Sequence, residues 1–109
     1  MPYDEGLAQR VREVLEDVTG LSEKKMFGGL CFMLNGNMCC GVAGEELMLR
    51  VGPDAYEDAV SQPHARKMDF TGRPMKGFVF VEPDGIASDK DLNSWVAKAS
   101  AFALSLPAK

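Results

Sequence analysis

The sequence lacks the features that membrane insertion, secretion and metal binding require. The 109-residue chain has no apolar run approaching the roughly 18 residues needed to cross a bilayer. Residues 1–10 show no basic segment followed by an apolar one, as a signal peptide would. His64 is the only histidine and no C-x-x-C spacing occurs, so a zinc site has no evident ligands. We therefore expect a soluble cytoplasmic protein without membrane contact, metal or cofactor.

An excess of positive charge is also absent. The chain carries 12 Lys and Arg residues against 16 Asp and Glu residues, a net charge of −4. Proteins that bind nucleic acid through its phosphates usually have a basic surface. Nucleic-acid binding is therefore weakly supported, and any such contact would depend on a local basic patch.

Cysteine is scarce and its spacing does not force a disulfide. The three cysteines are Cys31, Cys39 and Cys40, an odd number with two adjacent members. Adjacent cysteines rarely pair, although Cys31 facing Cys39 or Cys40 across a hairpin could form a bridge. Buried, reduced thiols are the favoured interpretation, because free cysteine behaves as a small hydrophobic residue.

Hydrophobic spacing predicts a helix at each end of the chain. Residues 4–18 place apolar side chains at helical intervals, and Gly20 is expected to end this helix. Near the other end, Ser88 followed by Asp91 resembles a capping box for a helix whose apolar stripe reaches Leu106. A short helix of about two turns is expected after Pro53.

The middle of the chain is predicted to form β-strands. Residues 30–51 form short apolar runs interrupted by Asn35-Gly36, the strongest short hairpin signal, and by Gly44-Glu45. In the third run, Leu47, Leu49 and Val51 share one face, and Met48 and Arg50 share the other. Two further strands are expected at residues 66–70 and 77–81, joined by a turn at residues 71–74.

These elements predict an α+β fold in a single domain spanning residues 1–109. The expected order is helix, three strands, short helix, two strands, helix. An open antiparallel sheet of about five strands, covered on one face by the two long helices, would bury both apolar stripes in one core.

Three segments resemble hallmark segments of a known family. They are Lys25-Met26-Phe27-Gly28-Gly29, Leu49-Arg50-Val51, and Thr71-Gly72-Arg73-Pro74-Met75-Lys76-Gly77-Phe78. In this order and at these element boundaries they resemble the N-terminal domain of the TfoX (Sxy) competence regulators. The resemblance implies a fold related to the MmcQ/YjbR-like proteins and a link to transcription and competence regulation in bacteria. It also implies a stand-alone domain, because the chain has no residues for the second, C-terminal domain of full-length regulators. It brings no catalytic residues.

A glycine pair and a basic segment are the candidate binding residues. Gly28 and Gly29 could expose backbone N–H groups to an anion, although a β-bulge or strand bend explains them more simply. The basic candidates could contact phosphate, an acidic protein surface or single-stranded nucleic acid stacked on Phe70. A charged, solvated strand edge is the simpler alternative. These basic candidates are Arg50, Arg66, Lys67, Arg73 and Lys76.

No combination of residues suggests catalysis. His64 has no nearby nucleophile or orienting acid, and pairing with a cysteine would depend on the fold. Seven methionines give the sheet flexible apolar side chains, which fill cores and also suit adaptable interfaces.

We therefore expect a non-enzymatic regulatory or protein-interaction module. The first alternative is an accessory protein that binds nucleic acid or takes part in RNA modification through the basic segment at residues 66–76. The second is a homodimeric structural protein that pairs through a sheet edge.

Overall fold

The computed structural model describes residues 3–26, 29–70 and 73–107, except for the side chains of Met26, residues 68–70 and residues 73–76. Six strands form one antiparallel sheet in the order β1-β2-β3-β4-β6-β5. The elements are α1 (Glu5–Leu15), β1 (Leu21–Met26), β2 (Gly29–Leu34), β3 (Asn37–Ala43), β4 (Glu46–Arg50), α2 (Tyr56–Val60), β5 (Ala65–Phe70), β6 (Arg73–Val81) and α3 (Asp89–Ser105). A 3₁₀ turn at Pro83–Gly85 precedes α3.

The predicted α+β class and the antiparallel sheet with N- and C-terminal helices are confirmed, but the sheet has six strands rather than about five. The additional strand is β1, whose four central residues are exposed. It lies at an edge of the sheet, where a strand needs little apolar surface, so its sequence carries no hydrophobic alternation.

Both long helices begin at side-chain caps. The Asp4 carboxylate accepts hydrogen bonds from the backbone N–H groups of Gly6 and Leu7, at 2.9 and 3.2 Å. The predicted cap of α3 is confirmed, since Ser88 Oγ accepts from the N–H of Asp91 at 3.1 Å. The expected end of α1 was wrong, because the helix stops at Leu15 and a turn follows before Gly20 (φ +89°).

The Asn35-Gly36 hairpin between β2 and β3 is confirmed. Both residues have positive φ, 54° and 83°, as a type I′ turn requires. Further along, Phe32 pairs with Cys40 and Met33 pairs with Met38, which leaves Cys39 as the extra residue of a β-bulge. The bulge places Cys39 and Cys40 on the same side of the sheet, in the main core.

The main core lies between the three helices and one face of the sheet. The expected alternation in β4 is confirmed, because Leu47 and Leu49 lie in this core and Met48 belongs to a separate cluster on the opposite face. Leu47, Leu49, Val79 and Val81 from the sheet are fully buried. The helices contribute Leu7, Ala8, Val11, Leu15, Tyr56, Ala59, Leu92, Trp95, Val96, Ala99 and Ala103.

The second half of the chain differs from the prediction at two boundaries. α2 has five residues, fewer than two turns. β6 begins at Arg73 rather than Gly77, and Arg73 and Pro74 pair with β5 instead of forming the expected turn. Thr71 and Gly72 lie outside the described residues. Within the described part of the chain, no helix has the length and apolar character needed to cross a bilayer.

Candidate functional site

The sheet face opposite the main core carries its own apolar cluster, built from strands only. We call it the helix-free face, because the buried helix residues of the described chain all belong to the main core. Its buried members are Cys31, Met38, Met48 and Phe80, and its partly buried members are Met33, Ala43 and Phe78. A sheet with helices on one side only thus presents a second, thinner apolar surface on the other.

One row of paired residues crosses the helix-free face from edge to edge. Successive pairs join Lys24, Cys31, Gly41, Met48, Phe80 and Arg66. The Met48 side chain lies over Gly41, where an added Cβ would be 2.8 Å from its terminal methyl group. Met48 is fully buried, and among the described residues its cluster consists of strand side chains, so this face is filled by long side chains of the strands themselves.

Arg66 lies on this face but is already engaged. Its Nε donates to Glu46 Oε2 at 3.0 Å, its Nη2 also bonds that carboxylate, and its Cζ lies 4.6 Å from the centre of the Phe80 ring. The pair is partly exposed, so it is worth at most about 1 kcal/mol. The pair nevertheless neutralises the charge of Arg66, which was one of the predicted ligand-contact residues.

Arg50 has a different environment. Its Cζ lies 5.8 Å from the centre of the Phe78 ring and 5.4 Å from that of Phe102 on α3. Phe78 is its cross-strand partner on β6. Among the described residues, no carboxylate or other acceptor receives a hydrogen bond from the half-buried Arg50 guanidinium. Two aromatic rings thus contact a cation that has no anionic partner among the described residues.

The other basic candidates are not brought together with Arg50 by any described contact. Lys67 lies exposed on β5 and pairs with Val79, whose side chain is in the main core, so Lys67 is not on the helix-free face. Arg73 and Lys76 lie on β6, and their side chains lie outside the described residues. The structure therefore selects Arg50 and Arg66 as the described basic candidates on this face.

Gly29 begins β2 where two strands approach closely. A Cβ at this position would lie 2.0 Å from the carbonyl oxygen of Val42 on β3, so the position has room only for glycine. Close strand packing accounts for Gly29. Gly28 lies outside the described residues, and the anion site at the glycine pair stays a prediction.

The thiols are free and buried, as expected. Burial raises the pKa of Cys31 to about 11, and a hydrogen bond with Cys39 together with burial raises the pKa of Cys40. A raised pKa disfavours the nucleophilic thiolate at neutral pH. In the described chain, no three His, Cys, Asp or Glu side chains converge as metal ligands.

Sequence reasoning missed two features that depend on distant residues. One is the contact of Arg50 with Phe102, which are 52 positions apart. The other is a cleft of about 290 Å³ beside α3, lined by His64, Asp84, Asp91, Ser94 and Lys98 among others. No cysteine lines this cleft, and these five side chains are solvent-exposed. Neither feature could be found from spacing along the chain.

Comparison with protein-family models gives a match. The family model described as the TfoX N-terminal domain matches residues 13–103. No curated protein matches this chain, and no solved structure matches it. The matched range runs from the middle of α1 to near the end of α3, so it includes all six strands.

Proposed function

Because this chain belongs to the TfoX N-terminal domain family, we propose that it is a non-enzymatic regulatory module that binds a partner protein through the helix-free face. This family is not a known enzyme family. The regulatory part of the proposal comes from the resemblance to the TfoX competence regulators. The interaction part comes from the surface itself.

One observation carries the proposal: the helix-free face combines a continuous apolar cluster with arginines that contact aromatic rings. Met33, Ala43 and Phe78 are only partly buried there, so part of the cluster is available for contact. Methionine, aromatic residues and arginine are enriched at the centres of protein interfaces. Flexible methionines also adapt their shape to a partner.

Site-specific photo-crosslinking tests this proposal. A photoreactive phenylalanine analogue would replace Met33 on the helix-free face, and the same analogue would replace the exposed Glu57 on α2 as a matched control. We expect a discrete adduct with a second protein from position 33 and none from position 57. The captured protein, purified separately, should then bind the wild-type chain in solution.

Three outcomes would contradict the proposal. Equal adducts from both positions would indicate non-specific capture. An adduct of twice the chain mass would favour the homodimer instead. Turnover of a substrate in an activity screen, with no adduct from position 33, would indicate that the protein is an enzyme and not an interaction module.

A further inference from the structure

The chemistry of Arg50 specifies what kind of partner fits the helix-free face. A guanidinium carries five N–H donors in one plane, and the edges of that plane suit a carboxylate. The rings of Phe78 and Phe102 already restrict the position of Arg50, at 5.8 and 5.4 Å from its Cζ. Binding a ligand here would therefore cost little conformational entropy of the Arg50 side chain.

The charge distribution points to the same sign of partner. The six strands carry seven Lys and Arg residues against three Asp and Glu residues, in a chain whose net charge is −4. The basic residues are Lys24, Lys25, Arg50, Arg66, Lys67, Arg73 and Lys76, and the acidic ones are Glu23, Glu46 and Asp69. These residues lie on both faces of the sheet. The charged strand residues described on the helix-free face are Lys24, Arg50 and Arg66 against Glu46, so this face carries a positive excess and would attract an acidic partner.

An acidic protein segment fits this face better than nucleic acid does. Nucleic-acid affinity requires several cations that each neutralise a phosphate. Of the basic residues described on this face, Arg66 is occupied by Glu46 and Lys24 lies out on the edge strand β1. The apolar cluster around Phe78 instead matches the apolar side chains of a protein.

We infer that the helix-free face binds an acidic segment of a partner protein, which presents an Asp or Glu carboxylate to Arg50 and apolar side chains to Met33 and Phe78. The inference rests on the function proposed above and names the chemistry of its partner. The Arg50 guanidinium donates to the incoming carboxylate, and the two aromatic rings remain on its flanks.

Fluorescence anisotropy with three labelled probes tests the inference. The probes are a short peptide of alternating glutamate and leucine, its lysine–leucine counterpart, and a single-stranded oligothymidylate. We expect the wild-type protein to bind the glutamate–leucine peptide and not the lysine–leucine peptide. Arg50→Gln should weaken that binding about tenfold, since it removes a charged partner at a partly desolvated contact.

Lys67→Gln is the matched control. It removes the same charge from an exposed residue that is not on the helix-free face, so binding should change by less than about twofold. Arg50→Lys keeps the charge without the planar donor edge and should fall between wild type and Arg50→Gln. In the wild type, the NMR signal of the Arg50 Nε–H group should shift when the peptide is added, and that of Arg12, which lies on α1 and is bonded to Glu23, should not. This last measurement needs no variant to fold.

Each contrary result has a definite meaning. Equal loss in Arg50→Gln and Lys67→Gln would show general charge attraction and overturn the role of Arg50. No binding of the glutamate–leucine peptide would overturn the acidic partner. Tighter, strongly salt-dependent binding of the oligothymidylate would indicate that the partner of this face is nucleic acid and not an acidic protein. If a partner crosslinked at position 33 binds equally well to Arg50→Gln, the proposed function stands and this inference fails.

Discussion

Gly52 supports the contact between α3 and the end of β4, and replacing it with alanine should destabilise the protein. The residue has φ +87°, and a Cβ there would lie 2.4 and 2.5 Å from two ring carbons of Phe102. The left-handed conformation costs alanine about 1–2 kcal/mol, and displacing a packed ring costs about 1–3 kcal/mol. We therefore expect Gly52→Ala to lower the free energy of unfolding by about 2–5 kcal/mol.

Gly44→Ala separates the two contributions. Gly44 also has positive φ, 59°, but a Cβ there would meet nothing within 4 Å. Its substitution should therefore cost only the conformational part, about 1–2 kcal/mol. The difference between the two variants measures the overlap with Phe102.

Urea unfolding followed by the fluorescence of Trp95, the only tryptophan, measures both variants. Adding Phe102→Ala to Gly52→Ala should recover part of the loss, because the ring that the new methyl group meets is gone. If Gly52→Ala costs no more than Gly44→Ala, the close contact with Phe102 is wrong. The displaced ring would also leave Arg50 less restrained, so Gly52→Ala should weaken binding of the glutamate–leucine peptide.

Three further measurements test other parts of the structure. Asp4→Ala removes the cap of α1 and should cost about 0.5–2 kcal/mol of unfolding free energy in urea; no change would argue against the cap. His64 has φ +67°, so His64→Gly should raise the unfolding free energy by up to about 1 kcal/mol, and a loss would show that the imidazole makes a stabilising contact. Burial raises the pKa of the Cys31 thiol from 9.0 to about 11, so the folded protein should bind that proton more tightly than the unfolded chain. The associated stability should be complete below pH 9 and be lost as the pH rises to about 11. Unfolding free energies measured across this range should fall less steeply in Cys31→Ala, where Cys40 still contributes, than in the wild type, and equal slopes would contradict the prediction.

Much of the fold follows from rules that act over a few residues. Asn35-Gly36 specifies a tight turn because both residues accept positive φ, and Ser88 caps α3 because its hydroxyl reaches the N–H of Asp91. The alternation of Leu47, Met48 and Leu49 assigns the faces of β4, because successive strand residues point to opposite sides.

Other features of the fold are decided by which strands pair in the sheet, and local sequence does not specify this pairing. β1 carries almost no hydrophobic signal, since pairing with β2 forms it rather than burial. The bulge at Cys39 shifts the register of β3, and nothing in the local sequence marks its position. The placement of β6 between β4 and β5 makes Phe78 the neighbour of Arg50.

The fold class and the family could be predicted from the sequence alone, because composition, periodicity and motif order are properties of the chain. The candidate anion-binding residues stay a prediction. The sequence grouped Arg50 and Arg66 as equivalent cations. Only the tertiary structure separated them, since it brought Glu46 to Arg66 and the rings of Phe78 and Phe102 to Arg50. The availability of a charge depends on its neighbours in space, and for both arginines most of these neighbours are far away in the chain.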